Sequence, residues 1–256
     1  MEFGKVDDLA TVDFTLPPED PRARIMLSGT THHDARWVHV GPTGWSMKEW
    51  VGRVYPPKTP ADGYLAAYGR QFTTVELNTT YYRMPDVALL ERWRDAVPDD
   101  FRFAPKFPQD VSHGRDLAAS VALARTFSDR VKVLGAKLGR SFIQLPPGWG
   151  PERLEHLGAI LDAIDVPVAV EFRHPRWFDR GRLEDSAFQL LQEHRAAAVV
   201  TDVAGRRDVL HASLPVPALF LRFIGNGRHA VDDVRIDAWV HRIADWCGRG
   251  LGEVMV

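Results

Sequence analysis

Apolar residues in this chain gather in short runs separated by longer amphipathic stretches, and from residue 37 onward the two kinds of segment alternate. The runs WVHVG (37–41), TTVELN (73–78), FRFAPK (101–106), SFIQLP (141–146), VAVEFR (168–173), AAVVTD (197–202), ALFLRF (218–223) and GEVMV (252–256) read as strands. The segments at 61–72, 87–97, 116–135, 151–164, 185–196 and 232–246 repeat their apolar residues near i, i+3, i+4 and read as helices. Asp62, Asp86 and Pro151 stand where helix starts want a cap or first-turn residue.

Strands alternating with helices predict a parallel sheet with right-handed crossovers. Eight strands between residues 37 and 256 fit an α/β fold of the (β/α)8 TIM-like barrel type. An open doubly wound sheet is the competitor. It lacks a glycine-rich dinucleotide fingerprint after the first strand, and GNG at 225–227 is too short to supply one. The sequence stops inside the eighth strand, so the eighth βα unit is expected to be incomplete in this chain. Residues 1–36, acidic and carrying LPPEDP at 16–21, are expected to form an extension packed on a barrel domain of residues 37–256. His32, His33 and Asp34 raise the question of a metal, but adjacent histidines share no face on a regular element, and a solvated loop is the expectation.

Side chains alternate along a strand, so each strand can be asked which residues oppose its apolar set. Val75 and Leu77 on the helix side put Glu76 and Asn78 on the interior face. By the same reasoning Lys106, Gln144, Glu171 with Arg173, and Arg222 face inward. Val199 and Thr201, placed outward, leave Asp202 inward. These polar residues lie near the carboxyl ends of the strands, where barrel enzymes build their sites. Burying so many charges in a plain core costs several kcal/mol per ion unless each is paired or solvated. Three acids (Glu76, Glu171, Asp202) and three bases (Lys106, Arg173, Arg222) can also neutralise one another as a structural network, so a ligand site and an ion-pair lattice both remain open. Trp45, Tyr82, His174 and Trp177 follow these strands and are candidates to touch a ligand, although tryptophans in such loops commonly serve as anchors. Arg206 and Arg207 of AGRRD (204–208) suit a phosphate or carboxylate, or an exposed basic turn.

Composition narrows the function classes. Hydrophobic content of 45%, charged content of 26% and a formal net charge of −2 describe an ordinary globular chain with no global attraction for nucleic acid. One cysteine, Cys247, excludes an intrachain disulfide and a cysteine-cluster metal site. The first residues lack a basic segment followed by an apolar one, and no run reaches the ~18 residues of a membrane helix. A cytoplasmic protein without a membrane partner is expected, of unknown oligomeric state.

Five stretches in order, VGPTGWSMKEWVGRVYPP, FTTVELNTTYYRMP, DDFRFAPKFPQDVSH, LGRSFIQLPP and VEFRHPRWF, resemble the YecE-like family, barrels classed as a domain of unknown function. The N-terminal MEFGKVDD…VDFTLPPEDP and the later VVTDVAGRRD and FLRFIGNG resemble one branch of it, so the resemblance spans nearly the whole chain. It implies a TIM-like barrel with a polar pocket at the strand carboxyl ends, and no settled reaction.

The leading expectation is an enzyme for a small polar substrate, anionic or sugar-like, working as a hydrolase or lyase without a nucleotide cofactor. Glu171 and Glu76 would act as acid and base, Lys106, Arg173 and Arg222 would bind or stabilise negative charge, and Asn78 and Gln144 would orient hydroxyls. An alternative is divalent-metal phosphodiester chemistry on nucleic acid, with Glu76, Glu171, Asp202 and His174 as ligands. Three nearby cations and the absence of a closely spaced ligand pair count against it, so no metal ligand is assigned. A non-catalytic ligand-binding protein is the third reading.

Overall fold

The computed structural model describes residues 4, 6–28, 38–227 and 229–256. The 32–34 histidine–aspartate run and Trp37 lie outside the described residues. In chain order the elements are α1 (Pro21–Ser28), β1 (Val38–His39), α2 (Tyr64–Tyr68), β2 (Thr74–Leu77), α3 (Thr79–Tyr82), α4 (Val87–Ala96), β3 (Arg102–Pro105), α5 (Gln109–His113), α6 (Leu117–Val131) and β4 (Ser141–Gln144). They continue with α7 (Leu154–Leu161), β5 (Val168–Glu171), β6 (Phe178–Asp179), β7 (Arg182–Leu183), α8 (Asp185–Glu193), β8 (Ala197–Asp202), β9 (Ala218–Phe223), α9 (Ala230–Gly248) and β10 (Glu253–Met255). Every strand expected from the apolar runs is present. So is each expected helix, although the 61–72 and 151–164 segments open with a 3₁₀ turn. Among these elements, α3, α5 and the β6–β7 hairpin carry too few residues to show a period, and the eight residues of α1 show little separation of apolar from polar faces. The protein is thus an α/β fold built on parallel strands.

Two compact units divide the chain. One contains Met1–Val38, Leu145–Glu155 and Val170–Met255; the other contains His39–Gln144, His156–Ala169 and Val256. In the second, β2 and β3 pair in parallel, Thr74 opposite Arg102 and Leu77 opposite Pro105. A bridge from Lys106 to Phe142 continues to β4, and the Ser141 amide donates to the Pro167 carbonyl at 2.9 Å. An aromatic core holds this unit: Tyr55, Tyr64, Tyr68, Phe101 and Phe103 are buried together, and Tyr68 donates its hydroxyl to the Thr74 carbonyl at 2.7 Å. That bond satisfies the polar end of a ring that is otherwise core. Asp116 caps α6 by accepting from the Ala119 amide, leaving Ala124, Phe127 and Val131 on the buried face.

In the first unit β8, β9 and β10 are parallel neighbours, and the end of β5 flanks β8. All six residues of β8 are buried, as a strand covered on both faces must be. Helix α9 starts with His229 accepting the Val231 amide and with Asp232 and Asp233 in its first turn, favourable against the helix dipole. The N-terminal segment runs across this unit and is pinned at Asp20. Asp20 accepts from Arg22 at 2.7 Å and from the Ser213 hydroxyl at 2.5 Å. Burial opposes ionisation of Asp20, but these hydrogen bonds outweigh it and keep the carboxyl below its usual range. Among the described residues no helix is long and apolar enough to cross a membrane.

Candidate functional site

The first cluster gathers at the carboxyl ends of two strands of the first unit. Glu171 is the last residue of β5 and is completely buried. Two arginines take its two oxygens: Arg173 Nε donates to Oε1 at 2.7 Å, and Arg222 Nη1 donates to Oε2 at 2.7 Å. Arg222 is the penultimate residue of β9, so the second bond spans the intervening strand β8. Both guanidinium side chains keep a solvent edge, 17% exposed for Arg173 and 13% for Arg222. The carboxylate therefore fixes the two guanidinium forks.

Asp202 does not join this cluster, which corrects the expectation drawn from alternation. In the β8–β9 register Thr201 is opposite Arg222, and Asp202 is opposite Phe223. Residues opposite one another in a ladder share a face, so Thr201 lies on the face of Arg222 and Asp202 lies on the other. There Asp202 meets α9: Arg235 Nη2 donates to Oδ1 at 2.8 Å, Trp239 Nε1 donates to Oδ2 at 2.7 Å, and Arg207 bonds Oδ1 as well. Asp202 and Arg235 are both inaccessible to solvent. The assignment failed because AAVVTD is apolar on both faces and offers no alternation to phase. Arg235 and Trp239 were not anticipated either. They sit on an amphipathic helix where an arginine reads as solvent-facing, and only the buried acid opposite reveals its role.

The second unit carries its own polar cluster. Lys106, buried just past β3, donates from Nζ to Gln144 Oε1 at 2.8 Å and lies 4.1 Å from the centre of the Tyr81 ring. Tyr81 comes from α3, the turn that follows β2. Thr80 clamps that turn by donating its hydroxyl to both the Leu77 and Lys106 carbonyls, at 2.8 and 2.6 Å. The strand end and the lysine's carbonyl are thus held by one buried hydroxyl, on a residue that no pattern in the chain singles out. Glu76 is buried in β2, and Asn78 opens α3 with its carbonyl accepting the Tyr81 amide. Tyr82 is 80% exposed and meets Tyr81 edge-on. Trp45 packs edge-on against Trp93 in the aromatic core.

Among the loop residues after β5, His174 accepts the Arg176 amide through Nδ1 and so caps a short 3₁₀ turn. Trp177 is fully buried and donates its indole N–H to the Trp149 carbonyl at 2.6 Å. It is a loop anchor with no face open to a ligand, so the structure removes it from the contact candidates. Arg206 donates from Nη2 to the Arg173 carbonyl at 2.8 Å, bringing the basic turn after β8 to the back of the first cluster. Among the described residues no three His, Cys, Asp or Glu side chains converge as a metal centre requires.

These features define an α/β protein with parallel strands and charged side chains assembled at strand carboxyl ends. The chain belongs to the DUF72 family: residues 39–256 match the family described as "Protein of unknown function DUF72". It is 30% identical over 229 residues to the UPF0759 protein YecE of Escherichia coli K12, covering 82% of each chain. It is also 30% identical over 189 residues to the UPF0759 protein YunF of Bacillus subtilis, covering 70% of this chain and 64% of that one. Among solved structures it is similar to a DUF72 family protein of Thermotoga maritima, with a TM-score of 0.67, 22% identity, and 85% and 90% of the two chains covered. A second, from Enterococcus faecalis, gives a TM-score of 0.68 with 19% identity and coverage of 88% and 90%. These likenesses establish the fold and leave the activity to be argued from the residues.

Proposed function

We propose that the protein is an enzyme acting on a small polar substrate that carries an anionic or sugar-like group, without a nucleotide cofactor. The single observation behind this reading is the Arg173–Glu171–Arg222 cluster. Two cations oppose one wholly buried carboxylate, and both cations retain a solvent edge at strand carboxyl ends. Parallel α/β proteins bind ligands outside those ends. In this reading the arginines receive the anionic group and Glu171 orients them and serves as an acid/base candidate. Lys106, held by Gln144 beside Tyr81, and Glu76 are the further candidates by residue type and position. Asn78, His174 and Tyr82 are proposed contacts, the last because its ring lies open. We further take the family architecture to be a (β/α)8 TIM-like barrel, a reading supported by eight strands alternating with helices and by parallel pairing inside each unit. A cytoplasmic setting belongs to the same proposal.

The test is a thermal-shift screen of the wild type, Glu171→Gln and Arg222→Met. The probes are inorganic phosphate, sugar phosphates, carboxylates, neutral sugars, nucleotides and short DNA, each with and without Mg²⁺, Mn²⁺ or Zn²⁺. A ligand that binds only the folded state raises the melting temperature. The expected result is a metal-independent rise with a small anion that weakens in Arg222→Met. A rise confined to DNA, or one that requires the metal, would replace this reading with phosphodiester chemistry. No rise with any probe would leave the cluster as an ion-pair lattice.

A further inference from the structure

The N-terminal segment precedes residues 39–256, which match the family model, yet the contacts of Gly4 and residues 13–15 converge on one loop of the first unit. That loop, residues 203–209, leaves β8 and carries Arg206. At its start, the Gly205 amide donates to the Gly4 carbonyl at 2.8 Å. The approach is close enough that a Cβ on Gly4, whose φ is +77°, would come within 2.4 Å of Val203 Cγ2. Further along, Arg207 donates from Nε to the Asp13 carbonyl and from Nη2 to the Thr15 carbonyl, each at 3.1 Å. Between those carbonyls the Phe14 ring covers two guanidiniums, with its centre 5.5 Å from Arg207 and 5.2 Å from Arg235. Burial in this nest pushes Arg207 below its ordinary pKa. Arg207 in turn grips the buried Asp202, so the segment, the loop and the strand end form one connected assembly.

Arg206 is the outlet of that assembly. Asp208 holds its guanidinium through Nε at 2.9 Å and Nη2 at 3.0 Å, and Nη2 also donates to the Arg173 carbonyl. Arg173 is the residue whose side chain grips Glu171. We infer that Gly4 and residues 13–15 form a positioning strap for the Arg173–Glu171–Arg222 cluster, acting through Arg207 and Arg206. The inference rests on the proposed ligand site and goes beyond it, because it gives that site a determinant outside the family-matching residues.

A simple clasp would need none of these contacts, since the segment is already tied down elsewhere. Asp20 and Arg22 bind Ser213 and the Leu183 carbonyl, and Glu19 accepts from Trp246 and Arg249. The two roles therefore come apart in experiment. Four variants are compared with the wild type: Phe14→Ala, Arg206→Met, Arg206→Lys and, as a remote anchor, Glu19→Gln. Each is read by peptide-level hydrogen exchange over residues 172–176 and by calorimetric titration with inorganic phosphate.

Arg206→Met is expected to speed exchange over 172–176 by about fivefold, the worth of one lost hydrogen bond, and Phe14→Ala, which removes the ring over Arg207, should speed it in the same direction. Phosphate affinity should fall by a similar factor. Arg206→Lys, which still offers a donor to the Arg173 carbonyl, should restore most of both. Glu19→Gln should lower the melting temperature and move neither readout. The strap is overturned if Phe14→Ala and Arg206→Met leave exchange unchanged, or if Glu19→Gln changes it as much as they do. If the wild type does not bind phosphate while exchange responds as expected, the strap stands and the anion reading of the cluster falls.

Discussion

Arg222 Nη1 lies 2.7 Å from Glu171 Oε2, a bond that reaches over a whole strand to join β9 with the end of β5. Its partner carboxylate has no solvent contact, so the pair cannot be replaced by water when one member is removed. Arg222→Met should therefore cost about 3 kcal/mol, most of it the penalty of leaving Glu171 with one guanidinium in place of two. Glu171→Gln should cost less than that, because a neutral amide oxygen still accepts one of the two bonds. Urea unfolding of both single variants and the double variant tests this. The double should fall well short of the sum, since the two residues share one interaction.

Asp202 and Arg235 form the second buried ion pair, on the opposite face of β8. Arg235 also donates to the Asp202 and Ile224 carbonyls and to Asp232 Oδ1 at 2.8 Å. One side chain thus ties together the ends of β8 and β9 and the first turn of α9. Arg235→Met should destabilise by roughly 3 kcal/mol, because it breaks a buried ion pair and strips the Asp202 and Ile224 carbonyls of a donor while Arg207 and Trp239 still hold the acid. Trp239→Phe removes only one donor to Asp202 and should cost about 1 kcal/mol. Equal effects of the two substitutions would show that Arg235 contributes packing alone.

The positions of the strands were legible because each is a short apolar run between turn residues, and β2, β5 and β9 also show one polar phase. That phase groups Glu171, Arg173 and Arg222, and in the structure both arginines bond the Glu171 carboxylate. It misled at β8, where neither face is polar and the only signal was the terminal acid. The short helices α3 and α5 escaped because four or five residues cannot display a 3.6-residue period. Trp177 looked like a ligand platform by position, yet a tryptophan's size makes it equally good at closing a loop, and only the bond to Trp149 decides. The contacts of Asp13 and Thr15 were beyond reach, since they pair backbone carbonyls with an arginine nearly two hundred residues away.

Gly41 offers a steric test of the second unit. Its amide donates to the Val256 carbonyl at 2.9 Å, and an added Cβ would sit 1.9 Å from the Thr74 carbonyl oxygen. The nearest obstacle is backbone, with the Tyr68 hydroxyl at 2.7 Å beside it, so no rotamer change relieves the contact. Gly41→Ala should lose about 3 kcal/mol or fail to accumulate as folded protein, the scale of an overpacked site that forces a backbone shift. Gly148→Ala, where an added Cβ meets nothing within 4 Å, is the matched control and should unfold like the wild type.

His211 makes stability depend on pH in a defined window. The ring is completely buried, stacked on Phe178, and accepts the Ser213 amide through Nδ1 at 3.2 Å. That leaves Nε2 to carry the proton it donates to the Val199 carbonyl at 3.1 Å, so the neutral form satisfies both nitrogens. Burial pushes its pKa from 6.5 down to about 4. Between those values the unfolded chain takes up a proton that the folded chain refuses. Stability from this group is therefore fully present above pH 6.5 and declines as the pH falls toward 4, by about 3 kcal/mol in all. The Asp20 carboxyl, whose pKa is lowered, contributes in the same direction but only below its unfolded value near 3.8, so the two effects separate along the pH axis. Urea titrations at half-unit steps from pH 7 to 4 should show the decline in the wild type. In His211→Gln, which keeps a donor and an acceptor but does not titrate, the curve should flatten over that window while any loss below pH 4 remains. A slope that survives the substitution would place the titration in another group.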